Sequence, residues 1–95
     1  MYYQVKSLDP GLHIVSIPIG RARDITLNAL DVLSSADVIV AEDTRVIKKL
    51  LNIYKISVSK VRLLAYHDHN AKKQAPRIMN LLKEGCSIAL VSDAG

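Results

Sequence analysis

The 95-residue sequence lacks tryptophan and phenylalanine, and it contains no internal repeat and no low-complexity run. Its single cysteine, Cys86, excludes an internal disulfide and is typical of a reducing, cytoplasmic setting. No apolar run approaches the roughly 20 residues of a membrane-spanning helix, and Met1 is not followed by an export leader. We therefore expect a cytoplasmic protein without a membrane segment.

Glycine-rich phosphate loops are also missing. Gly20 is the one glycine in the turn that follows the first apolar run, and neither Gly-Lys-Ser nor Gly-Lys-Thr follows it. This excludes a Walker loop and a GxGxxG dinucleotide fingerprint. The turn Pro18-Ile19-Gly20 nevertheless stands between a strand pattern and a helical pattern, where a glycine lets backbone amides approach a ligand. Taken alone, this turn is equally compatible with a ligand site and with a plain tight turn.

The residues that are present suffice for one small core. About half of them, 49%, are hydrophobic, and a chain of this length forms one compact unit. Thirteen Lys and Arg against nine Asp and Glu give a net charge of +4. This excess favours an anionic partner such as RNA, although a soluble basic surface explains it equally well.

Four apolar runs predict strands, and the segments between them have helical spacing. The predicted strands are Leu12 to Ile17, Asp37 to Ala41, Val61 to Tyr66 and Ser87 to Val91. The first strand is apolar enough to be covered on both faces. Residues 1–11 are interpreted as an extended lead-in, and residues 12–95 as one α/β domain.

The three predicted helices follow the first three strands. Asp24 is the expected N-cap of the first helix, which runs to about Ser35. The second helix has Ile47, Leu50, Leu51 and Tyr54 on one face. The third is predicted to start near Gln74, with residues 70–73 as a loop, because Pro76 would cost about 3 kcal/mol in a helix interior.

This β-α-β-α-β-α-β order predicts a mainly parallel sheet with right-handed crossovers. The carboxyl ends of parallel strands meet at one edge, which is where such sheets hold ligands. That edge gathers four segments: Pro18 to Arg23, Glu42 to Arg45, His67 to Asn70, and Ser92 to Gly95. Their convergence is the main indication of a functional site.

Several side chains at this edge have suitable chemistry. Glu42 and Asp43 can act as acid and base or bind a cation, and Asp43 or Thr44 can instead cap the next helix. His67 and His69 resemble part of a metal site, but no third ligand accompanies them, so we expect no metal. Asp93, before a glycine turn, can accept hydrogen bonds from a ligand's hydroxyl or ammonium group.

Four sequence blocks between about Leu12 and Gly95 resemble the amino-terminal part of an RNA-modifying member of the tetrapyrrole methylase superfamily, and they occur in the same order as in that superfamily. They are the Pro18-Ile19-Gly20 turn with Asp24 to Leu27, Ala41 to Arg45 with Lys49 to Leu51, Tyr66-His67 with His69-Asn70, and Leu90 to Gly95. One departure from the usual pattern, Arg21, adds charge beside the first turn.

The resemblance implies an S-adenosyl-L-methionine-dependent enzyme that methylates the ribose 2′-hydroxyl of a cytidine in small-subunit ribosomal RNA. Such enzymes commonly form homodimers and hold the cofactor between two α/β domains. By resemblance, Ser92, Asp93, Ala94 and Gly95 contact the cofactor, and Pro18, Ile19 and Gly20 face the substrate. We expect Glu42 or Asp43 to assist the chemistry and Arg21, Arg23 and Arg45 to contact RNA phosphates.

The superfamily's continuation after Gly95 and its carboxyl-terminal domain are absent from these 95 residues. The sequence is therefore interpreted as an amino-terminal fragment that alone binds the cofactor weakly or not at all and is inactive. Two alternatives remain at this stage. One is a receiver-like signalling module that holds Mg²⁺ with Glu42, Asp43 and Asp93, and the other is a non-catalytic RNA-binding domain.

Overall fold

Strands and helices alternate through the computed structural model, which describes residues 3–18, 22–57 and 62–94, with only the backbone at 93 and 94. Four of the predicted site residues, Ile19, Gly20, Arg21 and Gly95, lie outside the described residues. The strands are β1 (Gly11–Pro18), β2 (Val38–Ala41), β3 (Arg62–Ala65) and β4 (Ser87–Ala94), and the helices are α1 (Leu27–Ser35), α2 (Thr44–Ile53) and α3 (Ala71–Lys83). The predicted α/β class is confirmed.

The described strands form one parallel sheet in the order β1-β4-β2-β3. Helices α1 and α2 pack on one face, where Leu33, Ile47 and Leu51 meet Ile39 and Ala89. Helix α3 packs on the other face, with Leu81 in a second cluster of buried residues. The chain runs back from β3 to insert β4 between β1 and β2, so a right-handed crossover places α3 on the opposite face.

Strand β1 is not covered on both faces, and that prediction is wrong. It forms an edge of the sheet, and on one of its faces Leu12 and Ile14 are 50% and 68% exposed. Val15 and Ile17 on the other face are buried against the α1 side. An apolar run predicts a strand, but it does not reveal which strands and helices become its neighbours.

The start of α1 also differs from the prediction. Asp24 is not the N-cap; it ends a short 3₁₀ turn, Ala22–Asp24. Thr26 is the N-cap, and its Oγ1 accepts a hydrogen bond from the Ala29 amide at 3.0 Å. A side chain can cap only from the position just before the first helical turn, and the extra 3₁₀ turn moves that position two residues along the chain.

Helix α3 begins at Ala71 and not near Gln74, so the predicted loop over residues 70–73 is wrong. The Asn70 carbonyl accepts hydrogen bonds from the amides of Lys73 and Gln74, at 3.1 and 2.9 Å, and this starts the helix. Pro76 stands in the second turn, where its missing N–H deprives the Lys72 carbonyl of a partner. Both residues are exposed, so water can satisfy that carbonyl.

A polar contact ties β2 to β4 at the amino end of the sheet. The Asp37 carboxylate accepts hydrogen bonds from the Ser87 amide, at 2.9 Å, and from the Ser87 hydroxyl, at 3.2 Å. In return, the Asp37 amide donates to the Ser87 carbonyl and hydroxyl oxygens. Ser87 is only 4% exposed, so this contact stabilises the fold at the edge opposite the candidate site.

Candidate functional site

The carboxyl edge of the sheet brings the predicted segments together. In the register of β1 and β4, Ile17 pairs with Asp93 and Pro18 pairs with Ala94. The carboxyl ends of β1 and β4 are therefore adjacent, so Pro18 of the predicted substrate turn lies beside Ala94 of the predicted cofactor segment. On the far side of β4, β2 runs out at Ala41 and is followed by Glu42 and Asp43.

A cavity of about 370 Å³ opens at this edge, above β2 and β4. Its apolar lining includes Ile17, Val40 and Leu90. Polar atoms come from four other lining residues: Glu42, Asp43, Tyr66 and Ser92. The volume lies at the lower end of the range for small-molecule sites, and an apolar floor with a few polar groups is their usual composition.

The two neighbouring carboxylates have different environments. Asp43 is the N-cap of α2, and its Oδ1 accepts a hydrogen bond from the Arg45 amide at 3.0 Å. The Arg45 guanidinium adds bonds of 3.1 Å from Nε to Oδ1 and 3.0 Å from Nη2 to Oδ2. These bonds lower the pKa of Asp43 below its usual value, mainly through the side-chain hydrogen bonds from Arg45. Both oxygens of the Asp43 carboxylate are therefore engaged by Arg45, so Asp43 is the less available of the two carboxylates.

Glu42 is the free carboxylate of the pair. Its side chain is exposed, and within the described parts of the chain it makes no hydrogen bond and no ion pair. It lines the cavity above β2 and β4, and also an adjoining, more open depression with His67 and His69. A carboxylate in this position can accept a proton or a hydrogen bond from a bound molecule.

The segment after β3 is ordered by Asn70. Its Oδ1 accepts from the His67 amide at 2.8 Å, and its Nδ2 donates to the Ala65 carbonyl, also at 2.8 Å. The His69 amide donates to Nδ1 of His67 at 3.2 Å, and the two rings meet edge to face. Among the described residues, no group of three or more His, Cys, Asp or Glu side chains is arranged to hold a metal.

Two of the three predicted phosphate-binding arginines are described. Arg45 remains 88% exposed although it is paired with Asp43, because only one side of its guanidinium faces that carboxylate. Arg23 is exposed in the 3₁₀ turn that precedes α1. A guanidinium has five N–H donors, so Arg45 can bind an oxyanion while it keeps its ion pair.

Comparison with known proteins identifies the family. The model for Tetrapyrrole (Corrin/Porphyrin) Methylases matches residues 11–95, which is nearly the whole chain. The chain belongs to the tetrapyrrole methylase family. It does not belong to a receiver-like signalling family, and that alternative is not retained.

Individual relatives of this tetrapyrrole methylase segment carry a more specific name. The chain is 47% identical over 90 residues to a "Ribosomal RNA small subunit methyltransferase I" of Mesorhizobium japonicum, covering 95% of the chain and 30% of that protein. Proteins of the same name match from Bacillus subtilis, at 48% over 84 residues (88% and 28%), and from Vibrio cholerae, at 51% over 86 residues (90% and 29%). The chain thus spans less than a third of the length of these curated relatives.

Two tyrosines of the methylase domain, one at this edge and one at the C-cap of α2, were not predicted as site residues from the sequence. Tyr66 follows β3 and lines the cavity. Its position at the carboxyl end of a predicted strand was the sequence feature that could have identified it as a site residue. The Tyr54 hydroxyl donates to the Ala22 carbonyl, 32 positions away in the sequence, and no local sequence pattern predicts such a bond.

None of the helices in the described residues has the length and apolar character of a membrane-spanning segment.

Proposed function

We propose that the complete protein, meaning the product of the whole coding sequence that carries these 95 residues, is a methyltransferase. It transfers a methyl group from S-adenosyl-L-methionine to the ribose 2′-hydroxyl of a cytidine in small-subunit ribosomal RNA. The family match and the name shared by the relatives support this proposal. One observation of the site carries the chemistry: Glu42, a free carboxylate, lines a cavity at the carboxyl edge of the sheet.

A ribose hydroxyl is a weak nucleophile at neutral pH, so its methylation needs alignment with the methyl donor and an acceptor for the departing proton. S-adenosyl-L-methionine supplies an electrophilic methyl group when it is bound. Glu42 accepts the proton of the hydroxyl in this proposal. Asp43 holds Arg45 in a fixed orientation, and Arg45 together with Arg23 binds phosphates of the RNA backbone.

The cofactor side of the site belongs to the end of β4. The cavity has an apolar floor and the exposed Ser92 hydroxyl at its rim, which suits a molecule with a flat base and a polar end. Ser92, Asp93, Ala94 and Gly95 would hold the cofactor, and Pro18, Ile19, Gly20 and Arg21 would face the RNA. The pairing of Pro18 with Ala94 supports two adjacent binding segments.

The proposal extends to the organisation of the complete protein. Residues 12–95 form an amino-terminal α/β domain, and a carboxyl-terminal domain supplies the opposite wall of the cofactor cleft. In this proposal the complete protein is a homodimer, as the family resemblance implies, and it is cytoplasmic, which the single cysteine favours. The isolated chain, with one wall of the cleft, binds the cofactor weakly and is inactive.

The test is methyl transfer by the complete protein. Small-subunit ribosomal RNA is incubated with S-adenosyl-L-methionine labelled in its methyl group, and the RNA is then hydrolysed with alkali. Because 2′-O-methylation removes the hydroxyl that attacks the phosphate, the labelled cytidine is expected in alkali-resistant dinucleotides. Label that appears only in mononucleotides would indicate methylation of a base, and it would refute the proposed target.

A non-catalytic RNA-binding role is the remaining second candidate, favoured by the net charge of +4. It predicts salt-dependent binding of small-subunit RNA without any incorporation of label. The same incubation therefore separates the two candidates.

A further inference from the structure

The amino-terminal segment, residues 3–9, is attached to α1 along its length. The Gln4 amide donates to the Asp31 carboxylate, and the Lys6 amide donates to Oγ of Ser35 at 2.9 Å. Lys6 also forms an ion pair with Asp31 at 3.9 Å. The segment is therefore part of the folded domain, although its sequence reads only as an extended lead-in.

A pair of tyrosines connects this segment to the carboxyl edge of the sheet. The Tyr3 hydroxyl donates to the Tyr54 carbonyl at 3.0 Å, and the Tyr54 hydroxyl donates to the Ala22 carbonyl at 2.6 Å. All three residues are partly buried and pack against the larger core cluster. Tyr54 stands at the C-cap of α2, so the end of that helix is joined to the 3₁₀ turn.

Ala22 directly precedes Arg23, the arginine assigned above to an RNA phosphate. The Ala22 carbonyl also accepts the Ile25 amide at 3.3 Å, which closes the 3₁₀ turn around Arg23. The internal bond of 3.3 Å is long, and 3₁₀ turns in general have poor hydrogen-bond geometry. The bond of 2.6 Å from the Tyr54 hydroxyl to the Ala22 carbonyl adds an anchor from outside the turn.

We infer that Tyr54 is a positioning residue for the substrate side of the site: supported by Tyr3, it holds the 3₁₀ turn so that Arg23 faces the RNA. This inference rests on the proposed function. Tyr54 touches neither the cavity nor the reacting atoms and acts through Ala22. A fixed turn lowers the entropy lost when Arg23 binds a phosphate, because the backbone is ordered before the RNA arrives.

The experiment compares Tyr54→Phe and Tyr3→Phe in the complete protein. Each change keeps the ring and removes one hydrogen bond. Tyr54→Phe is expected to raise KM for RNA about three- to tenfold with kcat nearly unchanged, and Tyr3→Phe is expected to have the same effect to a smaller degree. Ser87→Ala is the matched control, since it removes the two buried hydrogen bonds of the Ser87 hydroxyl at the opposite edge of the sheet and should leave both constants unchanged.

A second readout does not depend on methyl transfer. Hydrogen exchange of the backbone amides of residues 23–25 is expected to accelerate in Tyr54→Phe and not in Ser87→Ala. Unchanged exchange would overturn the inference whatever the kinetics. Faster exchange with an unchanged KM would overturn it too, because the turn would then not position a substrate contact. Absence of any methyl transfer in the wild type would instead refute the proposed function, and the exchange data would still decide whether Tyr54 orders the turn.

Discussion

Lys55 lies in a backbone conformation that a side chain disfavours, and its replacement by glycine should stabilise the protein. Its φ is 58°, in the left-handed region. The Lys55 amide bonds to the Asn52 carbonyl at 3.1 Å and the Ile56 amide to the Leu51 carbonyl at 2.9 Å. Buried Ile56 and Leu51 belong to one core cluster. This is a Schellman motif, and Lys55 occupies the position where glycine is preferred.

The gain follows from two opposing terms. A side chain in the left-handed region destabilises the fold by about 1–2 kcal/mol, and glycine removes this strain. Glycine also loses more conformational entropy on folding, which costs about 0.5–1 kcal/mol and offsets part of the gain. Lys55→Gly should therefore add about 0.5–1 kcal/mol to the free energy of unfolding, which corresponds to an increase in Tm of about 3–6 °C for a domain of this size. Urea and thermal unfolding measure both quantities.

Lys55→Ala is the matched control because it removes the same charge and keeps the Cβ atom. It should show no gain in stability, so the difference between the two variants isolates the backbone effect. Equal stability of the glycine and alanine variants would refute the reasoning. The substitution acts on the helix that carries the site residues, because α2 has Asp43 and Arg45 at its amino end and Tyr54 at its carboxyl end.

Three further outcomes are expected. The pKa of Asp43 is lowered in the folded protein, so the stability that its carboxylate contributes is present above the unfolded-state pKa and is lost as pH falls through the folded-state pKa. In urea unfolding, the difference in stability between wild type and Asp43→Asn should therefore shrink as pH falls through this acid range. A difference that does not change with pH would contradict the pairing of Asp43 with Arg45. Ser87→Ala should cost about 1 kcal/mol in urea unfolding, whereas a neutral result would mean that the contact with Asp37 contributes nothing. Titration of S-adenosyl-L-methionine into the isolated chain in a calorimeter should give little heat, and tight saturable binding would show that the second wall of the cleft is unnecessary.

The alternation of strands and helices was predictable because buried parallel strands and amphipathic helices have different hydrophobic periods. The same reasoning gathered Glu42, Asp43, Pro18 and Ser92 at one edge, and the structure places them there. The order of the strands was not predictable, since it depends on long-range packing. The exposure of Leu12 and Ile14 follows from that order and was missed for the same reason.

The finer details of the site depended on side-chain contacts. The sequence offered Asp43 or Thr44 as the cap of α2, and only the geometry selects Asp43. That selection also separates the roles of Glu42 and Asp43, both of which the sequence had left as possible acid, base or cation-binding groups. The 3₁₀ turn before α1 and the bond from Tyr54 to Ala22 leave no periodic signal, so the capping role of Thr26 and the contact made by Tyr54 are visible only in the structure.

Our central proposal is that Glu42, and not Asp43, is the carboxylate that accepts the proton in a methyl-transfer site. Its most direct test is single-turnover methylation of small-subunit ribosomal RNA by the complete protein carrying Glu42→Gln or Asp43→Asn, with cofactor and enzyme in excess. A general base contributes about 10²–10⁴-fold, so Glu42→Gln should slow methyl transfer by about 100-fold or more, and Asp43→Asn, which retains a good N-cap residue, should slow it far less. A Glu42→Gln enzyme that methylates at the wild-type rate would contradict the account.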